Sequence, residues 1–189
     1  MTGEGKEILV KFTLHYSIAL HEFCAARQQS PQILGFNQLP GSWYYVAMEY
    51  YSSAAPLLYV TCFKTCGCEW ITELQDLVKS FHVKKFVHGD LRDTNIICDG
   101  EQFFLIDFDW DGKLGEACYL VKFYELNLEL VQGQSSSNAL ITTEDDDWVL
   151  ETTSNKVKDR LSIPRIECED IPSWDDIGIL TVSIVQLEW

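Results

Sequence analysis

His88-Gly89-Asp90-Leu91-Arg92-Asp93-Thr94-Asn95 is followed a few residues later by Leu105-Ile106-Asp107-Phe108-Asp109, and the fold turns on how these two stretches are joined. The first places an Asp and an Asn five residues apart in a loop. Between them, Asn95 to Cys98 and Gln102 to Asp107 are short apolar runs meeting at Asp99-Gly100, a strong signal for a tight turn between antiparallel strands. A loop, a hairpin and a second loop therefore carry Asp90, Asn95 and Asp107. Loop Asp and Asn residues ordinarily serve turns.

Upstream, Trp70, Ile71, Leu74, Leu77, Val78 and Phe81 recur at three and four residues, which predicts a helix leading into the first loop. Trp43 to Tyr51 has strand composition and is entered from the turn Pro40-Gly41-Ser42. Glu7 to Thr13 reads as another strand, and His15 to Arg27 as a helix packed against a sheet through Ile18, Phe23 and Ala25. Downstream, Cys118 to Leu130 is expected to be helical, Gly133 to Asn138 a linker, and Glu144 to Asp147 an acidic run.

The 189 residues are 47% hydrophobic, enough to bury a core. Of the formal charge of -15, residues 1–95 contribute -1 from 8 basic and 9 acidic groups, and residues 96–189 contribute -14 from 6 and 20. Such an acidic half repels a phosphate backbone, so nucleic-acid binding is not expected, whereas a nucleotide held through a divalent cation remains compatible. The stretch Ile177 to Leu187 is too short and polar to span a bilayer. Seven cysteines is an odd number, and MTGEGKEILV lacks the basic start and apolar stretch of a secretory signal; both point to a reducing, intracellular, cytoplasmic setting.

The two motif stretches resemble the H-[RG]-D-L-x-x-x-x-N catalytic loop and the D-F-G metal motif of protein kinases, the HGD form being shared with aminoglycoside and choline kinases. Five fixed letters (H, G, D, L, N) match by chance at about one in three million positions, which favours the motif over ordinary turn residues. The resemblance implies an α+β, protein-kinase-like fold with a reduced N-terminal lobe and a mainly helical, divergent C-terminal lobe. It implies ATP and magnesium as cofactors and a hydroxyl-bearing acceptor, protein or small molecule. Asp90 would orient or deprotonate that hydroxyl, Arg92 would meet the transferring phosphate, and Asn95 and Asp107 would hold magnesium. Lys11 would pair with the ATP phosphates and with Glu22, or His21 would take that register. Met48 would be the gatekeeper, with the backbone of Glu49 and Tyr51 bonding adenine; the alternative for Val46 to Tyr51 is a plain core strand. Fungal kinase-like proteins with HGDLRxxN, LIDFDW and a VKF strand ahead of an H-x-x-C-A helix are the nearest match, over about Ile8 to Trp148.

Several features depart from this pattern. A kinase fold normally opens with a glycine-rich loop between two strands ahead of the lysine strand; ten residues precede Lys11, and Gly3 and Gly5 stand too near it, so the front reads as truncated. Gly89 replaces the Arg that answers to a phosphorylated activation loop. Asp109 replaces the D-F-G glycine, and Asp111 follows as an expected solvated loop residue. Cys62, Cys66 and Cys68 lack zinc-knuckle spacing and read as free thiols. Trp174-Asp175-Asp176 aligns with no kinase helix. The expected division is 1–51, partial N-lobe and hinge; 52–150, the core with catalytic and metal loops; and 151–189, a divergent C-terminal segment. The expected function is ATP- and magnesium-dependent phosphoryl transfer, the alternatives being an inactive pseudokinase or an interaction module with an acidic tail.

Overall fold

The computed structural model describes residues 6–57, 69–99, 102–119, 139–162 and 182–187. The first strand, β1 (Lys6–Thr13), is followed by helix α1 (Ile18–Ala25) and strands β2 (Ile33–Gln38) and β3 (Tyr44–Glu49). β1 alternates with period two: Ile8 and Val10 pack with Ala47 on one side, while Leu9, Lys11 and Thr13 share the other. α1 turns Leu20, His21, Cys24 and Ala25 inward, and of the residues expected to pack, Ala25 is buried and Phe23 lies half-buried against the core.

Helix α2 (Glu69–Val83) is the amphipathic helix the sequence predicts, with Trp70, Ile71, Leu74, Leu77, Val78 and Phe81 all buried in the main core. Around it lie two small antiparallel sheets. One joins β4 (Ala55–Pro56) to β6 (Ile96–Asp99) and β7 (Gln102–Leu105); the other joins β5 (Phe86–Val87) to β8 (Gly112–Lys113). The β6–β7 hairpin has the expected register, with Ile96 opposite Leu105 and Asp99 opposite Gln102.

Several elements go beyond the sequence reading, β2 among them. Helix α3 (Thr143–Ser162) begins in the acidic run and continues unbroken past position 150. A reciprocal cap starts it: the Thr142 N–H donates to Asp145 Oδ2 at 2.8 Å, and the Asp145 N–H donates to Thr142 Oγ1 at 3.2 Å. Its buried stripe is Asp146, Val149, Leu150, Thr153, Ser154 and Val157, at helical spacing. Strand β9 (Val182–Leu187) pairs antiparallel with β1, from Lys6 opposite Leu187 to Lys11 opposite Val182. The main sheet thus runs β2-β3-β1-β9, with the Lys11 strand in its interior.

Of the expected helix over Cys118 to Leu130, Cys118 instead bridges Leu140 in extended form. The part after Tyr119, with Gly3, Gly5, the Cys62-Cys66-Cys68 run, the 133–138 linker and Trp174, lies outside the described residues. Among the described residues no helix is long and apolar enough to cross a membrane.

A strand held on both edges exchanges its amide protons slowly. Proline inside β9 removes a ladder N–H when that N–H faces β1, and successive residues alternate in this respect. Of Ile184→Pro and Val185→Pro, one is expected to speed deuterium uptake across Ile8–Lys11 while leaving α2 protected. Unchanged uptake in both variants would show that β9 does not hold β1.

Candidate active site

The loop after β5 is suspended from α3. Asp146, fully buried, accepts from the His88 N–H at 2.8 Å and the Gly89 N–H at 2.7 Å, and the His82 ring of α2 donates to it at 3.0 Å. Gly89 is required on two counts: its φ is +80°, and a Cβ there would lie 2.7 Å from Ile141 Cδ1. The His88 ring accepts from the Asp90 N–H at 3.2 Å and packs edge-on against Phe108. Further along, Thr153 Oγ1 donates to the Leu91 carbonyl at 3.0 Å, and Asn95 Nδ2 donates to the Asp90 carbonyl at 3.0 Å. The hairpin then returns the chain, the Ile106 N–H donating to the Asn95 carbonyl at 2.9 Å.

Asp107 has a φ of +67°, a left-handed conformation unusual for a residue other than glycine. The Phe108 ring beside it stacks on His21 of α1, 4.5 Å between centroids and 6° between planes, and its carbonyl accepts from the Ser17 N–H at 3.2 Å. Lys11 pairs with both Asp107 and Asp109, the latter at 2.7 Å. Burial opposes charge on that lysine, yet the two carboxylates outweigh it and raise its pKa. Asp107 is likewise lowered despite burial, chiefly by Lys11. Burial and the neighbouring Asp107 raise Asp109.

Arg92 grips both carboxylate oxygens of Asp90 through Nε and Nη2. Burial nonetheless pushes the Asp90 pKa up to about 6, with Arg92 holding it back. Lys11, Asn95 and Asp107 line one cavity together with Met48, Glu49 and Tyr51, and Leu9, Ile97 and Ile106 add apolar wall. About 590 Å³ of space lies within it, counted to its open mouth. The Tyr51 ring stacks on Phe104, and its hydroxyl donates to Glu49 Oε2 at 3.0 Å; the Glu49 N–H donates to the Gln32 carbonyl at 3.0 Å.

Two expectations are corrected. Glu22 is exposed on α1, because the helix presents His21 at its inward register, and the carboxylates on Lys11 are Asp107 and Asp109. Asp111 is fully buried rather than a solvated loop residue, and burial raises its pKa. Asp146 went unrecognised in the sequence, although the Thr142/Asp145 box and the stripe it opens were there to be read. Among the described residues, no three His, Cys, Asp or Glu side chains converge as a ready-made metal cage.

These features can be set beside solved structures. The structure of the Cydia pomonella granulovirus kinase PK-1 matches 85% of this chain with a TM-score of 0.62 at 16% identity. The fold is protein-kinase-like. The chain spans 61% of that viral kinase's length. No family model matches the chain, and no curated protein matches it either. At that identity the likeness concerns the fold alone.

Asp146→Asn keeps the shape of the side chain but replaces one of two accepting oxygens by a donor, orphaning a buried N–H. The loss is expected to be about 2–4 kcal/mol in urea unfolding. Asp147→Asn, on the exposed side of the same turn, should shift stability by less than about 0.5 kcal/mol. Equal effects at the two positions would refute the anchoring role.

Proposed function

We propose that this protein is an ATP- and magnesium-dependent phosphotransferase that moves the γ-phosphate of ATP to a hydroxyl. The observation that carries the reading is the shared cavity. Its apolar wall from Leu9, Met48, Ile97 and Ile106 suits an adenine ring, and its polar end gathers Lys11, Asn95 and Asp107 where phosphates would lie. The fungal kinase-like motif words HGDLRxxN and LIDFDW support the same reading.

In this scheme Asn95 and Asp107 would hold magnesium, and their amide oxygen and carboxylate are the hard oxygen donors that ion takes. The ion would neutralise phosphate charge. Lys11 meets the phosphates from β1. Asp90 accepts the proton of the acceptor hydroxyl as its oxygen bonds to the γ-phosphorus and the bond to the bridging oxygen breaks, releasing ADP. Arg92 leaves Asp90 to meet the transferred phosphoryl group. The acceptor is a protein or small-molecule hydroxyl.

A second reading, a nucleotide-binding module without turnover, is favoured by the bidentate Arg92–Asp90 pair, which closes the carboxylate that would take the proton. Single-turnover assays separate the two readings.

ATP binding is expected to require magnesium, since Asp107 and Asp109 otherwise repel the triphosphate. In calorimetry, chelator or Asp107→Asn should abolish the heat of binding, and equal affinity in chelator would refute the site. Asp90 must be ionised to accept a proton, and its pKa stands near 6. The transfer rate is therefore expected to climb as pH rises toward 6 and to level above it. A rate independent of pH between 5 and 7.5, or one surviving Asp90→Asn, would remove Asp90 from the mechanism.

A further inference from the structure

A lysine serving phosphates needs a carboxylate that stays with it once Asp107 is engaged by a cation. The adjoining helix α1 does not provide one. Its inward residue His21 donates from Nε2 to the Pro31 carbonyl at 2.7 Å, and its Nδ1 accepts from the Tyr16 hydroxyl, the tautomer of a neutral ring. Burial lowers its pKa to about 4, so it stays uncharged at neutral pH. Glu22, the next residue, faces solvent.

Asp109 is placed differently. Oδ1 lies 2.7 Å from the Lys11 ammonium, while Oδ2 accepts from Thr13 Oγ1 at 3.2 Å. Its own carbonyl meets Nδ1 of His15. Lys11 and Thr13 are two residues apart and share a face of β1, so one carboxylate engages both. Through these contacts the metal loop is stapled to the strand that carries the lysine. A glycine at position 109 would make neither side-chain contact.

We infer that Asp109 is the positioning residue that fixes the Lys11 ammonium at the phosphate end of the cavity, the part expected of a glutamate on α1. What Lys11 then meets rests on the nucleotide reading; the hold of Asp109 on Lys11 does not. Asp107 remains available to a cation because Lys11 keeps a second partner.

Two measurements test this. In the first, without nucleotide or metal, a water-soluble acetylating reagent is applied at one neutral pH and Lys11 modification is followed by mass spectrometry. Asp109→Asn is expected to speed acetylation of Lys11 several-fold, and Glu22→Gln to leave it unchanged. Thr13→Val, which removes the hydroxyl that bonds both Asp109 and the His15 backbone, should act in the same direction by less, and it carries the test if Asp109→Asn does not fold. In the second, affinities for Mg·ADP and for adenosine are compared: Asp109→Asn should weaken Mg·ADP about tenfold, the equivalent of about 1.4 kcal/mol, and leave adenosine unchanged. Unaltered Lys11 acetylation in both variants overturns the inference, as does an equal loss of adenosine and Mg·ADP, which would mark Asp109 as merely structural. Should the unaltered protein bind neither ligand, the nucleotide reading fails and acetylation alone decides whether Asp109 holds Lys11.

Discussion

A buried carboxylate organises the molecule. Asp146 takes two backbone N–H groups from the turn at His88-Gly89 and a ring N–H from α2, so one side chain ties the core helix, the late helix and the loop of Asp90 together. An anion out of water is costly unless it is fully hydrogen-bonded, and three donors with a position in the first turn of α3 meet that need. The turn it holds has to bring Gly89 against Ile141, where no side chain fits. Loop, helix and glycine are thus mutually dependent, and the position of Asp90 follows from all three.

The second polar centre works by sharing. Lys11 lies between two carboxylates, and its charge is what allows Asp107 to stay ionised despite burial. Phe108 sits between them in sequence and points the other way, onto His21 and His88, so the segment is pinned from its apolar side while its carboxylates face β1. Packing on one side and charge on the other set the backbone of Asp107 in its left-handed conformation. Arg92 and Asp90 form a separate pair.

Much of this was legible in the residues. α2 follows from clean three-and-four spacing, and the β6–β7 hairpin from Asp99-Gly100 between apolar runs, because local patterns of this kind depend on no distant partner. The ion pair of Lys11 with Asp107 was not among the readings, since the motif resemblance gave Lys11 to phosphates and to Glu22. The pairing of Lys11 with Asp109 was hidden because the two lie 98 residues apart in sequence, and no local pattern records which carboxylate reaches the lysine. α3 was obscured for another reason: half its buried stripe is polar, as Asp146, Thr153 and Ser154 are each buried, and a reading based on apolar periodicity passes over them. β2 and β9 are short strands whose identity rests on their sheet partners, which propensity does not specify.

The antiparallel pairing of β1 with β9 bears on how the chain is made. Lys6 faces Leu187, so the earliest described strand acquires one of its two neighbours only after synthesis has reached residue 187. At about 5–20 residues per second, synthesis leaves that edge of β1 open for on the order of ten seconds or more. During that interval an apolar strand, Ile8-Leu9-Val10, presents an unpaired row of backbone groups, the template on which stray strands dock. The pairing of β1 with β9 is therefore the last of this sheet's pairings that synthesis makes available.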